Sequence, residues 1–162
     1  MGAVRYLYVL ALVAWLGGMV TIGAVVAPVA FRSLEQRDPI EGRTRAATLV
    51  GDVLRQFHTI SYVAGAVMLT ALVTMRIVGP RPPGFGLRVS LIAVMLGATV
   101  ATGLLVDPQI ARLRASVGVP IASLPDGDAR RVTFGRLHAT STSLMALAIA
   151  GGLVLCLWET RE

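Results

Sequence analysis

Four long stretches of the chain carry no Asp, Glu, Lys or Arg: Tyr6–Phe31, Gln56–Met75, Val89–Val106 and Leu137–Trp158. They run for 26, 20, 18 and 22 residues. A helix needs roughly 17–25 mostly apolar residues to cross about 30 Å of hydrocarbon, so each is long enough to span a bilayer. None shows the ten-residue alternation of a membrane β-strand, and helices satisfy their own backbone groups in lipid. The pattern therefore predicts an all-α integral membrane protein: one membrane domain over residues 1–162, with spans at about 6–31, 56–75, 89–106 and 137–158 in an up-down four-helix bundle. The first stretch is too long for the apolar core of a secretory signal and reads as a retained helix.

The polar pieces between the spans are short. Residues 32–55 are turn-like at Asp38-Pro39, then amphipathic and helical into the second span. Residues 76–88 hold Gly79-Pro80-Arg81-Pro82-Pro83-Gly84, a stiff turn. Residues 107–136 open on Asp107-Pro108, read as a helix end, and contain Asp126 and Asp128, either of which suits the N-cap of the last helix. No piece is large enough for a separate folded domain, and no internal repeat is apparent. Chemistry must then sit in the bundle or at its rim.

Composition agrees with a membrane class. Apolar residues make up 55% of the 162 and charged residues 15%, against about a quarter charged in soluble domains. All 15 basic residues are Arg, giving a net charge of +6. In such a chain Arg serves lipid phosphates, so the bilayer is the expected partner and nucleic acid is not. Four spans put both termini on one side, here side A, with Arg5, Arg76, Arg81, Arg88 and Arg161. Side B carries the other ten Arg, which favours loops 32–55 and 107–136 facing the cytoplasm in the inner membrane of a bacterium.

The spans are rich in small residues, among them Gly17, Gly18, Gly23, Gly65, Gly97, Gly103, Gly151 and Gly152, which let helices approach closely in lipid. Without an acid or base inside any span, a proton or cation pump working as a monomer is not expected. Trp158 reads as an interfacial anchor, whereas Trp15 lies near mid-membrane, where its indole N–H needs a partner. Cys156 is the only cysteine, and no nucleophile–base pair or three-ligand metal site can be drawn.

Two histidines stand at matching places. His58 opens the second span three residues after Arg55, and His138 opens the fourth two residues after Arg136. Both spans enter from side B, and each imidazole shares a face with small and polar residues: Ser61, Tyr62 and Gly65 for His58, Ser141, Thr142, Met145 and Gly152 for His138. One reading has both rings hydrogen-bonded near the interface. Another makes them axial ligands of a b-type haem, with Arg55 and Arg136 meeting the propionates.

The first and last spans also resemble a known family. Tyr8-Val9-Leu10-Ala11-Leu12-Val13-Ala14-Trp15-Leu16-Gly17-Gly18-Met19, then Val26-Ala27-Pro28-Val29-Ala30-Phe31, and Phe134-Gly135-Arg136-Leu137-His138-Ala139-Thr140-Ser141 resemble the transmembrane protein 205-like family, domain of unknown function 4149. That resemblance implies a four-helix integral membrane protein. The Trp-Leu-Gly-Gly segment is more distantly similar to copper-resistance D proteins and HemJ-type oxidases. In the oxidases a histidine stands seven residues before the tryptophan and a lysine lies in a later span; here the first position is Tyr8 and the chain has no lysine.

Three functional readings follow. The first is a non-enzymatic accessory or scaffold subunit, working with a membrane-protein partner or as a homo-oligomer. The second is the haem-bearing electron-transfer protein. The third is a small-molecule exporter acting as an oligomer, its polar path formed by Thr140, Ser141, Thr142 and Ser143.

Overall fold

A computed structural model describes residues 2–39, 41–79 and 82–160. Arg81 and Arg161, counted above on side A, lie outside the described residues. The chain forms four long helices: α1 (Gly2–Glu35), α2 (Glu41–Val78), α3 (Phe85–Val117) and α4 (Ala129–Glu159). They contain 34, 38, 33 and 31 residues, or roughly 46–57 Å at 1.5 Å per residue, so each outruns the hydrocarbon layer. No more than a third of the most apolar window of any helix is buried within the bundle. The outward faces carry Leu7, Leu10, Val13, Ile60, Val63 and Leu153, a surface suited to lipid. This is the all-α membrane bundle the pattern predicts.

Local chemistry explains the helix ends. Asp128, not Asp126, caps α4, accepting from the Arg130 backbone N–H at 2.8 Å and from the Arg130 guanidinium at 2.7 and 3.0 Å. The hydrogen bonds from Arg130 hold the Asp128 carboxyl down at about 2, below its ordinary 3.8. A depressed folded-state value stabilises the cap fully above about pH 4, and the gain fades as pH falls toward 2. Asp128→Asn is therefore expected to flatten that part of an acid unfolding curve followed by circular dichroism. Gly84 and Gly118, at φ +63° and +69°, supply the left-handed residues that start α3 and stop α3.

Proline leaves a mark inside two helices. Asp107-Pro108 does not end a helix, as its sequence suggested; the chain continues helical to Val117. The proline has no N–H and its ring crowds the carbonyl four residues back. The strain is taken up by a wider π turn just ahead of it, Ala101–Val106. Pro28 does the same in α1, behind the π turn Ile22–Val26.

The likeness of these two turns exposes a repeat that the element pattern hid. At a constant offset of 80, Gly17 matches Gly97, Gly23 matches Gly103, Val26 matches Val106, Pro28 matches Pro108 and Arg32 matches Arg112. Between residues 7–32 and 87–112, nine of 26 positions are identical without a gap. The same offset pairs His58 with His138 and Ser61 with Ser141. The chain is thus two like hairpins in tandem, α1–α2 and α3–α4, crossing in the same sense. Packing follows the halves: α1 lies along α2 and α3 along α4, while contact between halves gathers toward side A, α2 against Phe85–Val100 and α4 against Gly2–Thr21.

Side A is locked by charge. Arg88, 2% exposed, pairs with Glu159 at 2.9 Å, and Glu159 also receives Arg5 at 3.2 Å. The Arg88 guanidinium lies 5.9 Å from the Tyr8 ring and 6.0 Å from the Trp158 ring. The pair ties α1, α3 and α4 together and fixes both termini on one side.

Candidate functional site

Side B holds the chemistry. His58 sits on the inner face of α2 with its ring toward α3, where Gly103 leaves room. A Cβ at Gly103 would stand 2.7 Å from the Tyr62 hydroxyl and 2.8 Å from His58 Nδ1. Asp107 lies one turn on, with Oδ2 3.7 Å from His58 Nδ1. That separation is an electrostatic contact rather than a formed hydrogen bond. Arg55 and Arg114 both act on the Asp107 carboxylate through space, so no isolated charge is left at this depth. Arg114 continues the strip toward α4, its guanidinium 5.3 Å from the Phe134 ring.

Inward from His58 is a cavity bounded by all four helices, with His58, Ser61, Thr99, Thr102 and Ser141 among its lining residues. Its free volume is about 20 Å³, the room of one water molecule. Among the described residues, no group of three His, Cys, Asp or Glu stands close enough to hold a metal.

The two histidines are not brought to one slot. His58 is only 12% exposed in its side chain and lines the cavity. His138 is exposed and stacks on Phe134 of its own helix, with ring centroids 6.1 Å apart and planes 5° apart. The repeat gives the reason. The partner of His58 is Asp107, and the residue 80 positions earlier is Ala27. The place of Gly103 is taken by Gly23, and there the neighbour is the Met145 methyl at 3.0 Å from a Cβ. No carboxylate stands at the matching place in α1, and Met145 fills the gap beside Gly23. A haem between His58 and His138 does not fit these residues: the cavity takes one water and the second ring faces elsewhere. Arg55 pairs with Asp52 at 3.5 Å on the surface, and Arg136 is exposed.

Of the polar path drawn from Thr140, Ser141, Thr142 and Ser143, only Ser141 reaches the cavity; the other three are exposed. Trp15 is fully buried and its Nε1 has no hydrogen-bond partner. In the sequence Asp107 stands at an expected helix end and Arg88 among the side A arginines, so neither stands out as a site residue. The 80-residue offset was the signal that would have brought His58, Gly103 and Pro108 to attention together.

No curated protein and no solved structure matches the chain. The profile of a domain of unknown function, DUF4149, matches residues 10–118, about two thirds of its length. That interval takes in most of α1 and all of α2 and α3, with both π turns, His58, Gly103 and Asp107, and the chain therefore belongs to the DUF4149 family.

Proposed function

We propose that the protein is a non-enzymatic accessory or scaffold subunit that binds other membrane proteins through its lipid-facing helices. The observation that carries this reading is the placement of Gly17 and Gly97. The two match across the repeat, both are exposed, and a Cβ at either would meet nothing within 4 Å. Glycines inside the bundle, such as Gly65 against Leu96 and Gly151 against Met95, are consumed by its own packing. Gly17 and Gly97 are not, and lipid has no use for a glycine that weakens a helix by about 1 kcal/mol. A partner helix does, because a missing side chain lets backbones approach. The resemblance of the first and last spans to transmembrane protein 205-like proteins and, more distantly, of Trp15-Leu16-Gly17-Gly18 to copper-resistance D and HemJ proteins is in keeping with a bundle of this size. The Arg count supports a place in a bacterial inner membrane with the side B loops in the cytoplasm.

The test is co-purification in mild detergent after cross-linking in membranes. The native chain is expected in a complex with another membrane protein, and Gly17→Leu combined with Gly97→Leu is expected to release it as a folded monomer. Recovery of the native chain as an isolated protomer, together with substrate flux in liposomes, would overturn the accessory reading in favour of export.

A further inference from the structure

The central cavity is lined in part by matching positions of the two hairpins. Met19 and Thr99 are 80 residues apart, as are Ser61 and Ser141, and all four line it. It is also bracketed by the two proline-linked π turns: Thr102 lies within the second, and Met19 precedes the first by three residues. Repeats whose helices are interrupted at corresponding positions are where membrane bundles place binding sites, near the bilayer midplane.

Three of the four hydroxyls that line the cavity are spent as donors. The hydroxyl of Ser61 donates to the Phe57 carbonyl at 3.1 Å, that of Thr99 to Met95 at 2.9 Å, and that of Thr102 to Ala98 at 2.9 Å. A hydroxyl has one proton and two lone pairs, so these three oxygens retain acceptor capacity alone. They are buried, at 1%, 4% and 7% exposure. His58 adds its imidazole to the lining, with Nδ1 on the Asp107 side. No arginine and no carboxylate is among the lining residues.

We propose that this cavity binds one small monovalent cation, of the size of sodium, potassium or ammonium, through neutral oxygens. A divalent ion calls for carboxylate ligands, which the lining lacks, and an anion calls for several donors, where three of the four hydroxyls already give their proton to a backbone carbonyl. The free volume of about 20 Å³ admits a bare ion without movement of the helices and excludes larger organic cations. This inference is independent of the accessory role.

The test is thermal unfolding of the full chain in mild detergent at equal ionic strength in sodium, potassium, ammonium or N-methylglucamine chloride. The expected result is a saturable rise in Tm with at least one of the three small cations over N-methylglucamine. Thr99→Val and Ser61→Ala are each expected to weaken the apparent affinity about tenfold. Ser143→Ala, at an exposed hydroxyl of the same chemistry, is expected to leave it unchanged. Equal Tm in all four salts, the outcome for a lone structural water, overturns the proposal on the native protein alone. So does a cation effect that survives in both cavity variants.

Discussion

Replacing Glu159 with alanine is expected to destabilise the detergent-solubilised bundle by about 3–5 kcal/mol, the usual cost of removing one partner of a buried ion pair. Arg88 is 3% and Glu159 10% exposed in the side chain, so water cannot make good the loss. Arg5, 45% exposed in its side chain, loses the same acceptor at the surface. The cost should fall largely away in the double variant Arg88→Met with Glu159→Met, because apolar replacement of a whole buried pair is often neutral. Equilibrium unfolding of the two variants checks this, and equal destabilisation in both would mean that the pair contributes nothing specific.

A second expected result separates the two hairpins. Gly103→Ala should cost about 1–3 kcal/mol, the range for overpacking. The new Cβ would stand 2.7 Å from the Tyr62 hydroxyl and 2.8 Å from His58 Nδ1, so relief must displace His58 from Asp107. Gly23→Ala, at the matching place in α1, meets only the flexible end of Met145 at 3.0 Å. That methyl can turn away, and alanine favours the helix by up to about 1 kcal/mol over glycine. The substitution should therefore be neutral or mildly stabilising. Thermal unfolding of both variants reads the difference, and equal losses would remove the distinction between a clasped and an unclasped side of the bundle.

Why some of this was legible in the sequence and some was not follows from what each signal depends on. The four helices and their order are written in long uncharged runs, because lipid imposes that requirement residue by residue. The amphipathic lead into α2 was readable for the same reason, from Arg43 and Arg45 set against Leu49 and Val53. Pro108 misled, since whether proline ends a helix or sits behind a π turn is decided by packing around it. The direction of a side chain at a helix rim is likewise tertiary. His58 and His138 have the same local setting, yet one lies beside a carboxylate and the other is exposed against Phe134 of its own helix. Arg88 looked like a flank by position and is buried because Glu159, 71 residues away, closes over it. The haem reading required two rings to share a face that only one of them occupies.

The claim on which the rest depends is that two like hairpins cross the membrane in the same sense. Positions 38 and 118 match at the 80-residue offset, as do positions 2 and 82. Single cysteines at these four places, in a Cys156→Ala background, can be labelled in sealed vesicles with a membrane-impermeant maleimide. The account predicts that 38 and 118 react from one face of the membrane and that 2 and 82 react from the other. Labelling of 38 and 118 from opposite faces would contradict it.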